Sequence, residues 1–147
     1  MPPDCSIEWQ LLNSRRGLAF LNYPSNSSAN IVKAFETFEA NQQRYFRTSF
    51  DYWYGGFKND DRYHGWKASH RGGRYKNCFV FKNTSAMIRI YGFLIPAPSD
   101  ARIQLCILAH QAYKKQKLTE NSILDRMNSL ALDEDVYQAI SDSLKNR

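Results

Sequence analysis

Cysteine is scarce in this chain: Cys5, Cys78 and Cys106 are the only three in 147 residues. An odd number at wide spacing fits neither a disulfide framework nor a zinc site. Cys78 and Cys106 sit inside apolar runs, where a thiol reads as a small core residue. Long apolar stretches are missing as well. The longest, Phe93–Ala97 and Ile103–Ala109, fall far short of the ~20 residues that span a bilayer and read as buried strands. The opening Met-Pro-Pro-Asp-Cys has neither the basic start nor the apolar stretch of a secretory leader, so a cytoplasmic protein is expected. The chain shows no internal repeat and no linker. It has no glycine-rich phosphate loop followed by Lys-Ser/Thr and no serine-centred nucleophile elbow. His64 and His70 have no Cys or carboxylate to complete a ligand set, so neither a metal nor another cofactor is expected.

Acidic residues are the minority charge, 14 against 20 Lys and Arg, for a formal net charge of +6. The imbalance is local. From Lys58 to Tyr91 there are eight basic residues and two acids, whereas from Thr119 to Arg147 there are three basic residues and six acids. Aromatics are plentiful, with nine Phe, nine Tyr and three Trp, and hydrophobic residues make up 43% of the chain. A chain of this size and composition predicts a single folded domain, 1–147, with a substantial core.

Along the chain, Ile7–Leu12 reads as a short strand and Tyr23–Ser28 as a loop, with Ser27 or Ser28 available to cap the helix that follows. From Ala29, apolar residues at Ile31, Phe35, Phe38, Phe46, Phe50 and Trp53 recur at helical spacing, broken near Ala40-Asn41 into two helices. Gly55-Gly56 ends the pattern. Phe57–Lys76 reads as a glycine-containing loop with a short strand near Trp66. Three strands follow, joined by turns at Asn83-Thr84-Ser85 and Pro96–Asp100. The first is Cys78–Phe81. In the second, Met87–Leu94, Ile88, Ile90 and Leu94 share one face, and Arg89, Tyr91 and Phe93 the other. In the third, Ile103, Leu105, Ile107 and Ala109 oppose Gln104, Cys106, Leu108 and His110. Two helices, Ser122–Leu132 and Asp133–Leu144, close the chain. The fold expected is α+β: N-terminal helices packed on a small antiparallel sheet, then C-terminal helices, with residues 133–147 as an acidic C-terminal extension.

Two constellations stand out. The stretch from Trp66 to Leu94 interleaves basic residues (Lys67, His70, Arg71, Arg74, Lys76) with aromatics, a pattern that can neutralise phosphates and stack bases or simply form a solvated sheet face. Within it, Arg89 lies between Ile88 and Ile90. A buried unpaired charge is costly, so Arg89 must face solvent, a carboxylate or a ligand, with Tyr91 on its side of the strand. The second constellation, His110, Tyr113, Lys114 and Lys115, offers proton-transfer groups and positive charge. It also fits an ordinary strand-to-helix turn.

The strings Gly-Gly-Arg-Tyr-Lys-Asn-Cys-Phe-Val-Phe-Lys, Ile-Arg-Ile-Tyr-Gly-Phe-Leu and Leu-Cys-Ile-Leu-Ala-His-Gln-Ala-Tyr-Lys-Lys, in this order after two helices, resemble the RelE/ParE toxin superfamily, closest to its HigB-like, phage-derived branch. The likeness runs over roughly residues 29–130. It implies a type II toxin that cleaves mRNA, with the ribosome as the expected setting, by metal-independent attack of a 2′-hydroxyl. It also implies a cognate antitoxin protein as partner. By the same resemblance, Arg89 matches the central-strand arginine used against the scissile phosphate, and Lys82 the basic position that ends the preceding strand. His110 and Tyr113 fall where the family places its acid and base, with His70 as a further candidate. Lys67, His70, Arg71, Arg74, Lys76, Tyr91, Lys114 and Lys115 would bind RNA. The chain departs from the pattern at Val80, apolar where some members carry a second lysine, and in its C-terminal extension. Two other functions stay open: a toxin that inhibits gyrase without nuclease chemistry, and a non-catalytic nucleic-acid-binding module.

Overall fold

The computed structural model describes residues 4–24, 30–113 and 120–146. Strands β1 (Ser6–Leu12) and β2 (Arg16–Asn22) form an N-terminal hairpin. Its turn is fixed by the Asn13 side-chain oxygen, which accepts from the backbone N–H groups of Arg15 and Arg16 at 2.7 and 2.8 Å. Helices α1 (Ile31–Thr37) and α2 (Ala40–Tyr54) follow. Next come β3 (Tyr63–Gly65), a 3-10 turn at His70–Gly73, then β4 (Cys78–Asn83), β5 (Ile88–Ala97) and β6 (Asp100–Tyr113). Helices α3 (Glu120–Ala131) and α4 (Glu134–Lys145) complete the fold. The class is α+β. The six strands make one mixed sheet in the order β1-β2-β6-β5-β4-β3.

Two expectations about this architecture are corrected. The first helices are not N-terminal, because a β-hairpin precedes them, and the sheet is neither small nor purely antiparallel. β2 runs parallel to β6, with Ala19 opposite Ile107, while the other neighbours are antiparallel. The reason lies in β2 itself. Leu18, Ala19, Phe20 and Leu21 are all buried, because helices cover both faces of the sheet here. A strand buried on both faces shows no alternation to mark it.

One face is covered by α1 and α2. Phe46, Phe50 and Trp53 form the buried stripe of α2, and its start is secured by a capping box between Glu39 and Gln42. Phe50 meets the Phe81 ring edge-on at 4.9 Å, and Phe20 meets Phe35 at 5.1 Å. Each such ring contributes about 1.5–3 kcal/mol by burial. Cys106, Ile88 and Ile90 pack into the same cluster. The break between the two helices falls at Phe38–Glu39, immediately before the expected one. Ser27 and Ser28 lie outside the described residues, and the residue at the N-cap of α1 is Asn30.

The opposite face is covered by α3 and α4, through Ile123, Leu124 and Met127 of α3 and Val136 and Ile140 of α4. They bury Cys78, Val80, Tyr91 and Phe93. The segment expected as an extension is thus part of the core. Asp133 caps α4 by accepting from the N–H groups of Asp135 and Val136 at 2.8 and 3.1 Å, and the Trp9 indole of β1 donates to Ser143 Oγ at 3.1 Å. Among the described residues, no helix is long and apolar enough to cross a membrane.

Candidate functional site

Alternation along β5 turns Arg89, Tyr91 and Phe93 toward α3. Arg89 stands beside Lys82 of β4 in register, and Tyr91 beside His110 of β6. Above them, α3 begins with Glu120. One oxygen of that carboxylate, Oε2, receives both Arg89 Nη1 at 2.8 Å and the Tyr91 hydroxyl at 2.7 Å. Of the three settings open to Arg89, the structure therefore supplies a carboxylate. Glu120 also lies in the first turn of its helix, where negative charge is favoured.

The electrostatics follow from this geometry. Burial lowers the Arg89 pKa, but Tyr91 and the Glu120 carboxylate more than offset it, so the guanidinium is held above its ordinary value. Burial, reinforced by the hydrogen bond to Glu120, pushes the Tyr91 phenol well above its ordinary value despite the nearby guanidinium. Tyr91 is thus a permanent donor to Glu120. The Arg89 and Glu120 side chains keep 28% and 41% of their exposure, so the cluster opens to solvent on one side.

A β-bulge decides which groups share this face. Tyr91 pairs with His110, but the next residue, Gly92, pairs with Leu108, leaving Ala109 as the extra residue of β6. Gly92 is obligatory there: a Cβ on it would lie 2.1 Å from the Ile107 carbonyl oxygen. Up to Leu108, β6 alternates as its sequence predicts. Beyond the bulge the faces exchange. His110, expected with Cys106 and Leu108, pairs instead with Tyr91 on the α3 side, and Ala112 packs into the core beneath α3 and α4. Tyr113 pairs with Ile88, which packs on the α1 and α2 side, and is 48% exposed. Cross-strand partners share a face, so Arg89, Lys82 and His110 lie on one face of the sheet, with the Lys82 ammonium donating to the Asp60 carbonyl at 2.8 Å, while Tyr113 stands on the other.

Lys67, His70, Arg71, Arg74 and Lys76 are all exposed on the loop before β4. The loop is held to α3 by the buried Tyr75, whose hydroxyl donates to Asp125 at 3.0 Å, and by Asn128, which donates to the Arg74 carbonyl at 2.9 Å. Arg74 itself pairs with Asp125 at 2.8 Å. Tyr91 is only 2% exposed, so its ring is unavailable for stacking a base. Lys114 and Lys115 lie outside the described residues. Glu120 escaped sequence reasoning. Its one signal was that a carboxylate was among the three settings open to Arg89. Among the described residues, no group of three or more His, Cys, Asp or Glu side chains is placed to hold a metal ion.

No protein-family model, curated protein or solved structure matches this chain.

Proposed function

We propose that this protein is a metal-independent endoribonuclease of the RelE/ParE toxin type. It would act in the cytoplasm on mRNA, with the ribosome as its setting and an antitoxin as its inhibitor. The observation that carries the reading is the cluster of Arg89, Tyr91 and Glu120, joined at 2.7–2.8 Å, with Lys82 and His110 in register beside it. Such a set holds a carboxylate, an imidazole and two cations on one partly open face. The order of two helices, an antiparallel meander and a further helix between Ile31 and Ala131 agrees with the resemblance.

The reaction needs a base, an acid and positive charge. Glu120 takes the proton of the RNA 2′-hydroxyl as O2′ bonds to the adjacent phosphorus. Arg89 and Lys82 stabilise the phosphorane. His110 is the acid assigned to the departing O5′, which takes a proton as the P–O5′ bond breaks. The products are a 2′,3′-cyclic phosphate and a free 5′-hydroxyl. Tyr91 positions Glu120, and Tyr113 has no part in this scheme.

A second reading has its own support. The Arg89–Glu120 pair also ties the head of α3 to β5, a purely structural duty that leaves a non-catalytic nucleic-acid-binding module. Expression in cells with mapping of RNA 5′ ends separates the two. New ends clustered in translated messages support the nuclease, and intact RNA supports the binding module. Intact RNA accompanied by DNA damage would instead indicate a gyrase inhibitor.

A further inference from the structure

The molecule also carries a groove of about 800 Å³ between the end of α2, β3 and the start of β2. That volume falls within the range typical of ligand sites, roughly 300–1,000 Å³. Its cations are Arg16, Lys58, Lys67 and Lys82, and its only carboxylate is Asp60. The ion pairs among the described residues engage Arg74, Arg89 and Arg102. None of the four groove cations is in one. Arg16 stacks over the Trp53 ring at 4.7 Å, and the Lys82 ammonium donates to the Asp60 backbone carbonyl at 2.8 Å, so both are held in place at the wall.

The groove also presents rings. Trp53, Tyr63 and Phe79 are buried and form its floor, whereas Phe57 is 66% exposed. Phe57 is held out deliberately. Gly56, at φ +84°, turns the chain at the end of α2, a conformation that L side chains rarely adopt. Behind it, a Cβ on Gly55 would lie 3.0 Å from the Phe57 ring, and the Tyr63 hydroxyl donates to the Phe57 carbonyl. Trp66 is half-buried on another wall, with the His64 ring 5.0 Å away.

We infer that this groove binds single-stranded RNA, its lysines taking phosphates and Phe57 and Trp66 taking base faces. Unpaired cations favour a polyanion. Exposed rings among them favour one whose π-faces are accessible, which a duplex does not offer. Lys82 joins the two regions. It lines the groove, and with Arg89 and Met87 it also lines a small cleft at the β4–β5 turn. Lys82 is thus one residue that the groove shares with the face carrying Arg89. The inference rests on the proposed function only for the choice of RNA as ligand.

The test is fluorescence anisotropy of a short labelled 2′-O-methyl oligouridylate titrated with the full chain across a salt series. This probe has no free 2′-hydroxyl, so binding is read whether or not the protein cuts RNA. The parent is expected to prefer the single strand to a duplex of equal length. Phe57→Ala should weaken binding about tenfold with little change in salt dependence. Lys58→Gln combined with Lys67→Gln should reduce the slope of log K against log salt by about 1.4. These side chains are exposed, so an unchanged thermal midpoint is expected of each variant. Absence of binding overturns the inference. So does a duplex bound as tightly as the single strand, or variants that bind like the parent. A parent that binds the probe in this manner but leaves mRNA on translating ribosomes intact contradicts the proposed nuclease and leaves the groove assignment standing.

Discussion

Arg89 and Glu120, 31 residues apart in sequence, meet at 2.8 Å, and Tyr91 closes on the same carboxylate oxygen at 2.7 Å. The contact joins the middle of the sheet to the first residue of α3. It also creates the cluster on which the proposed chemistry depends, so its two duties should separate under substitution. Arg89→Ala should cost about 1–2 kcal/mol, between the values for exposed and buried pairs, and leave the protein folded. RNA cleavage should fall by ~10²–10³. Glu120→Gln keeps an acceptor for Tyr91 but removes the charge that pairs with Arg89, so it should cost about 1 kcal/mol of stability and lose cleavage. Urea melts and single-turnover cleavage on the same preparations measure both effects.

Gly92 should be the least replaceable residue of β5. With the Ile107 carbonyl oxygen 2.1 Å from the position of a Cβ, Gly92→Ala must push two strands apart at the bulge. A loss of about 3 kcal/mol or more is expected, read as a drop in the urea midpoint. It should be accompanied by loss of any activity that requires His110 to face Arg89.

Alkaline pH should weaken the fold through Tyr91. Its phenol is neutral and buried, with a folded pKa raised above the ordinary value near 10. A raised pKa means that the unfolded chain releases the proton first. The stabilisation is therefore complete below about pH 10 and is lost as pH rises toward the folded value. Urea midpoints between pH 7 and pH 11 should show this fall, and Tyr91→Phe should flatten it.

The buried thiols should be inert. Cys78 and Cys106 are fully buried, and burial, with Asp125 adding to it, pushes the Cys78 thiol up to about 12. Burial also raises the Cys106 thiol, despite the opposing charge of Arg16. Only thiolates react appreciably. A thiol reagent at pH 8 should leave both unlabelled in the native protein and label both in denaturant. Mass spectrometry of the peptides distinguishes the sites.

The outcome of these residues shows what could be read from sequence. The face of β5 carrying Arg89 and Tyr91 was legible because β5 alternates cleanly. The stripe of α2 was legible because Phe46, Phe50 and Trp53 keep helical spacing, and the core role of Cys78 and Cys106 because they sit in apolar runs. β2 was not, because Leu18–Leu21 are buried on both faces and no period betrays them. The side to which His110 points was not, because one extra residue at Ala109 reverses the alternation of everything after it. Glu120 was not, because only the tertiary fold brings it to Arg89. Secondary structure follows from local pattern, whereas the site depends on a bulge and a long-range ion pair.

The most direct measurement is the end chemistry of RNA incubated with the purified protein on translating ribosomes, compared with Arg89→Ala and Glu120→Gln. The proposed function predicts fragments ending in 2′,3′-cyclic phosphate and 5′-hydroxyl, formed by the parent and lost in both variants. It also predicts no stoichiometric transition metal in the purified protein. Intact RNA, fragments with 5′-phosphate ends, or equal cleavage by a folded Arg89→Ala variant would contradict it.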